Sequence, residues 1–248
     1  MIKAVFFDLD DTLFDHRYAS RCALERLRAT YDQLAHADLP DLESANLEIL
    51  NAVHLDVLSG VIGPDEARER RFGELFRRFG ASLSAEELRG VAAWYREEYC
   101  NHWRAVPGGI ELLKKIKERG IMTGIVSNNL LEEQMQKLRI CNLQEHLDVL
   151  VISEEAGVSK PNARIYEIAL ERANVKSHET VMIGDAWEND IVGAQAAGIR
   201  TIWYNCYGTP NPDLNVPEIV SFEDSESILS LLEEAPHAPE KSKSKTSR

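Results

Sequence analysis

The sequence predicts an α/β protein: a doubly wound parallel sheet interrupted after its first strand by an all-helical insertion. Three observations carry that expectation. Five short runs rich in Val, Ile and Phe are continuously apolar rather than alternating, as strands covered on both faces must be. Helical patterns separate the later runs, the alternation from which parallel sheets are built. Between the first and second runs, however, lies a long stretch, residues 17–104, that reads as almost wholly helical.

The strands are expected at residues 3–9, 122–127, 149–153, 181–184 and 201–204. A helix over 108–119 shows the pattern well: Ile110, Leu113 and Ile116 share a face, Lys114, Lys115 and Lys117 point away, and Gly120 follows the end. Helices at 19–36, 42–58, 65–79 and 84–103 fill the insertion, with Pro40 and Pro64 near two of the starts. One helix suffices for a crossover between parallel strands, so this block is large enough to form its own bundle. The expected organisation is a core of residues 1–16 and 105–235, a helical unit of 17–104, and a disordered, apolar-poor tail over 236–248.

Composition narrows the function. Forty-one acidic residues against 28 basic ones give a formal charge of −13. That disfavours nucleic acid, whose affinity rests on Lys/Arg neutralising phosphates, and anionic membrane surfaces for the same reason. No apolar run approaches the roughly 18 residues of a membrane span. The opening MIKAVFFDLDD meets acids where a secretory leader would show a cleavage site, so a cytoplasmic location is expected. Cys22, Cys100, Cys141 and Cys206 are scattered without a CxxC pair and read as reduced thiols.

Chemistry concentrates at the strand ends. The first strand runs into Asp8-Leu9-Asp10-Asp11-Thr12. Residues two apart on a strand face the same way, so Asp8 and Asp10 are expected to converge where open α/β sheets bind ligands. Crowded carboxylates repel, and one must hold a proton or a cation. The fourth strand ends in Gly184-Asp185, with Asp190 one helical turn later, in position for a ligand or an N-cap. Oxygen donors without Cys or His suit Mg2+ rather than zinc. The second strand ends in Ser127-Asn128-Asn129, a hydroxyl and free N–H groups that fit a phosphate oxygen or an ordinary cap. After the third strand comes Lys160, ahead of Pro161.

In this order, these residues resemble the haloacid dehalogenase (HAD) superfamily of phosphohydrolases: DLDDTL is similar to its first motif, Ser127 to the second, Lys160 to the third, and GDAWENDI to the fourth. The resemblance covers about residues 2–234 and implies a Rossmann-like core with a helical cap closing over the site. It implies that Asp8 is the nucleophile, forming an aspartyl-phosphate, and that Asp10 is the general acid and base, a role requiring a raised pKa. Mg2+ would be held by Asp8, the Asp10 carbonyl and Asp185. Ser127, the Asn128 amide and Lys160 would bind the phosphoryl group, with Asp190 orienting Lys160 or a metal-bound water. Asp11 departs from the glycine that many members carry there.

Asp10 argues for phosphate esters over carbon–halogen bonds, since family dehalogenases lack that residue. The stretch from Leu58 to Phe72 and the run VISEEAGVSKPNARIYEIAL resemble the pyrimidine 5′-nucleotidase branch, much of which N-acylneuraminate-9-phosphatases share. The implied activity is a phosphatase for a small phosphorylated metabolite, nucleoside 5′-monophosphates first. Sugar phosphates of the N-acylneuraminate-9-phosphate kind are the alternative, with a dehalogenase or a catalytically idle regulatory relative further behind. Arg68 and Arg71 read either as contacts to an anionic or nucleobase part of the substrate or as solvated, Glu-paired residues. His16, Arg17 and Tyr18 follow the first motif directly. Trp94, Tyr95 and Tyr99 read first as packing between helices. Monomer and homodimer both remain open.

Overall fold

A computed structural model describes residues 1–234; the tail expected over 236–248 lies outside them. Among the described residues six parallel strands form one sheet: β1 (Ala4–Phe7), β2 (Met122–Ser127), β3 (Val149–Ile152), β4 (Thr180–Gly184), β5 (Arg200–Tyr204) and β6 (Glu218–Ile219). Their order is β3-β2-β1-β4-β5-β6. The two-residue β6 was not expected; it is too short to show periodicity, and it pairs with β5 through Trp203↔Glu218 and Tyr204↔Ile219. β1 stops at Phe7, two residues short of the expected end, because the chain turns there.

Both faces of the sheet are covered, as the unbroken apolar runs require. Ala4 and Phe6 join Val126, Val151, Ile165, Tyr166 and Met182 in one buried layer. On the opposite face Phe7 meets Phe222 edge-on with ring centres 6.4 Å apart. The helix Gly109–Glu118 packs with Leu112, Leu113 and Ile116, while Ile110 is half-buried, a rotation of the expected face by part of a turn. The helix Leu131–Ile140 follows β2, and Ala163–Ala173 follows the Lys160 loop.

The chain divides into two compact units, residues 1–13 with 105 onward, and Phe14–Arg104. The second holds α1 (His16–Thr30), α2 (Leu39–Leu58), α3 (Pro64–Arg78) and α4 (Ala85–Asn101). Proline stands in the first turn of α2 and α3, where its missing N–H is harmless. Asp65 and Glu66 open α3 and Arg77 and Arg78 close it, matching the helix dipole. α4 begins with a capping box in which Ser84 and Glu87 bond each other's main-chain N–H. α1 ends at Thr30 rather than extending to residue 36; a short 3₁₀ turn over Asp32–Leu34 replaces the last expected turns. Phe14 meets Trp103 edge-on, and the Tyr95 and Tyr99 rings stack at 6.3 Å, so these aromatics are packing. His16 Nδ1 and the Tyr99 hydroxyl are 2.7 Å apart, and Arg104 lies over the Tyr18 ring.

Candidate active site

The strand order reverses at β1, which lies between β2 and β4, and ligands of open parallel sheets bind at such a switch point. Register brings the chemistry together there: Phe7 pairs with Ile183 on one side and Ile125 on the other. Asp8 continues this pairing by donating its N–H to the Ile183 carbonyl at 3.0 Å. Asp8, Ser127 and Asp185 therefore emerge from neighbouring strand ends.

A buried charge cluster forms around Lys160. Its ammonium contacts Asp8 Oδ1 at 2.5 Å and Asp190 Oδ1 at 2.6 Å, and the lysine is only 6% exposed. Asp190 is fully buried on a turn of π-helix, Trp187–Val192, and its other oxygen accepts the Ala186 N–H at 3.0 Å. Gly184 makes room for it: a Cβ there would lie 2.3 Å from Asp190 Oδ2. Asp185 is set by Thr12, whose hydroxyl lies 3.3 Å from Asp185 Oδ1 and accepts the Asp185 N–H at 3.2 Å. The Trp203 indole N–H holds the Asp185 carbonyl at 2.8 Å.

Oxygens of Asp8, Asp185 and Asp190 lie within 4.8 Å of one another. Fully ionised, three carboxylates against one ammonium would leave two negative charges in a largely buried space, and oxygen donors alone suit a hard divalent cation. Asp8 Oδ2 and Asp185 Oδ2 take no donor among the described residues. Burial pushes the Asp8 carboxyl up; the Lys160 charge opposes it, Asp190 and Asp10 reinforce it, and the result is about 7. Asp185 is likewise raised, by burial and then by Asp8, Asp190 and Asp11. For Lys160, burial pulls downward, but Asp190 and Asp8 outweigh it and hold the ammonium above its ordinary value.

The Asp10 carboxylate has its own set of partners. Its carboxylate takes Lys137 Nζ at 2.6 Å on Oδ1, and the Gln134 and Asn129 amides at 2.8 and 3.2 Å on Oδ2. It bears on Asp8 without joining the three carboxylates that lie within 4.8 Å of one another; β1 ends at Phe7 and Asp11 takes φ +62°, turning the chain. That left-handed conformation is why glycine serves well at this position; aspartate tolerates it better than most residues. Ser127 is buried and its Oγ accepts the Gln134 amide at 2.8 Å, so one glutamine ties it to Asp10. The Asn128 side chain, rather than pointing to an open site, clamps the Lys160 main chain, donating to its carbonyl at 2.9 Å and accepting its N–H at 2.8 Å.

Gln134 and Lys137 were not foreseen. Both are buried, Lys137 at 2% exposure, one turn apart on the helix face that also carries Leu138. A glutamine and a lysine at apolar positions were the available signal.

A family model described as haloacid dehalogenase-like hydrolase matches residues 2–198. A glyceraldehyde 3-phosphate phosphatase of Pyrococcus furiosus is 31% identical, covering 94% of this chain and 93% of its own. The pyrimidine 5′-nucleotidase YjjG of Escherichia coli is also 31% identical, over 91% of this chain and 96% of its own. Among solved structures, the magnesium-bound HAD-hydrolase YfnB from Bacillus subtilis matches at 26% identity with a TM-score of 0.71, over 93% and 98% of the two chains. With four strand-end motifs gathered at one switch point and a family match spanning most of its length, the chain belongs to the haloacid dehalogenase-like hydrolases.

Proposed function

We propose that the protein is a Mg2+-dependent phosphatase of small phosphomonoesters that works through an aspartyl-phosphate on Asp8. The supporting observation is the buried Asp8–Lys160–Asp190 arrangement beside Asp185, in which an anionic nucleophile, a cation for the phosphoryl oxygens and a two-charge deficit coexist. Asp8 attacks phosphorus as the ester P–O bond breaks, and Asp10 gives the leaving oxygen its proton. Asp10 then takes a proton from water, the water oxygen attacks phosphorus, and the Asp8–phosphoryl bond breaks to release phosphate. Ser127, the Asn128 N–H and Lys160 hold the phosphoryl oxygens, and Asp190 holds Lys160. Asp8, the Asp10 carbonyl and Asp185 would hold Mg2+, which when bound supplies charge neutralisation.

Lys137, Gln134 and Asn129 fix the direction of the Asp10 carboxylate. Nucleoside 5′-monophosphates are the first substrate class we propose, supported by the near full-length likeness to a pyrimidine 5′-nucleotidase. Triose and other sugar phosphates are the second, supported by the likeness to a glyceraldehyde 3-phosphate phosphatase. Four free cysteines fit a reducing, cytoplasmic location. The test is phosphate release from a panel of nucleotides, sugar phosphates and phospho-acids, with Mg2+ or EDTA. Release that EDTA abolishes and Asp8→Asn eliminates supports the reading; an Asp8→Asn protein as fast as wild type overturns it.

A further inference from the structure

Arg71 on α3 lies inside the helical unit and is only 8% exposed. Its guanidinium rests 4.6 Å from the Phe72 ring centre and 4.9 Å from that of Tyr95. No carboxylate pairs with it among the described residues, and its buried Nε has no hydrogen-bond partner. Burial weighs most against its charge; the Tyr95 and Tyr99 hydroxyls favour that charge, and Arg68 and Arg96 oppose it less strongly. Arg68 has its own acid, Asp65 at 2.6 Å. At the hydroxyl of the same Tyr95 ring, Ser20 Oγ lies 3.0 Å away, and Asn46 donates to that Oγ at 3.4 Å. Asn46 keeps a second buried, unpartnered atom, Oδ1.

An uncompensated buried cation is strongly unfavourable, and stacking on aromatic faces returns only about 2 kcal/mol. An apolar side chain of similar length would fill the same volume without that cost. Arginine's planar fork is, by contrast, matched to a carboxylate, with two parallel N–H donors.

We propose that Arg71 anchors a binding site, within the helical unit, for the carboxylate of a small organic acid. The acid has two possible sources, an acidic tail on the phosphorylated substrate or a separate metabolite, and the experiment separates them. Wild type, Arg71→Met and Arg71→Lys proteins are melted in EDTA with increasing sodium malonate. Their kcat/KM values are measured on O-phospho-L-serine, glycerol 3-phosphate and p-nitrophenyl phosphate with Mg2+. Without added acid, Arg71→Met melts no lower than wild type, because it removes an unpaired buried charge.

If the acid is the substrate's tail, Arg71→Met lowers phosphoserine turnover about tenfold or more relative to glycerol 3-phosphate, the loss of one charge-assisted hydrogen bond or more. If it is a separate metabolite, malonate raises the wild-type Tm and not that of Arg71→Met. Arg71→Lys is intermediate in either case, retaining the charge without the fork. The proposal is overturned if Arg71→Met melts lower while the malonate response and substrate ratio stay at wild-type values. It is equally overturned if wild type shows neither effect, and, should Arg71→Met not fold, if Arg71→Lys matches wild type on both. The kinetic arm rests on the phosphatase reading and the melting arm does not, so a wild type inert toward p-nitrophenyl phosphate would sink that reading alone.

Discussion

Gly184→Ala tests the coupling between the fourth strand end and the lysine. The added methyl would lie 2.3 Å from Asp190 Oδ2 and 2.4 Å from its Cγ, where ordinary contact begins at 3.4 Å. Asp190 must therefore retreat by about 1 Å. It is fully buried and held by Ala186 N–H and Lys160, so retreat breaks or stretches both bonds. Misplacement by about 1 Å at a reacting centre costs roughly 100-fold in rate. Loosening a buried ion pair costs about 3–5 kcal/mol of stability, and part of that loss is expected here. The assay is kcat and KM on p-nitrophenyl phosphate with Mg2+, beside urea unfolding of the same preparations. The predicted result is a kcat loss near 100-fold and a lowered unfolding midpoint. A variant within threefold of wild-type kcat and with an unchanged midpoint would refute the packing argument.

Lys137→Met removes a charged donor from Asp10; losing a charge-assisted bond of about 1.5–3 kcal/mol predicts a kcat reduction of roughly 10- to 150-fold with little change in KM. Steady-state kinetics check it, and partial recovery in Lys137→Arg is expected. Asp11→Gly relieves φ +62° and is predicted to change stability by less than about 1 kcal/mol, relief offsetting the added chain entropy; chemical denaturation measures it. Asp8 binds its proton more tightly folded than unfolded, its carboxyl rising from 3.8 to about 7. Ionising it therefore destabilises the metal-free protein, an effect absent below about 3.8 and complete above about 7. Mg2+ is thus predicted to raise Tm more at pH 8 than at pH 6 in melting scans against EDTA; equal shifts would contradict it. Burial pushes the Cys141 thiol up to about 11, so iodoacetamide should leave it unlabelled at pH 8 until the protein is denatured, as mass spectrometry would read.

The parallel sheet and the positions of Asp8, Ser127, Lys160, Asp185 and Asp190 were legible because strand ends in such folds carry their chemistry in chain order. Periodicity rules hold only inside the strand, so the partners of the Asp10 carboxylate were not legible: they depend on β1 ending at Phe7 and on the left-handed turn at Asp11. Long-range partners were silent as well. Lys137 and Gln134 reach Asp10 across a separation that no local pattern encodes, and Asn128 serves Lys160 through its side chain rather than presenting only a main-chain donor. For Arg71 the residue was visible but its lack of a carboxylate was not, since pairing depends on how four helices pack.

The central claim is that Asp8 becomes phosphorylated. Acid-quenching the enzyme during turnover with Mg2+, reducing any acyl phosphate with borohydride and mapping peptides by mass spectrometry reads it directly. Homoserine is expected at position 8, absent without substrate. Homoserine missing from position 8 in an enzyme that is turning over, or found at another acid, would contradict it.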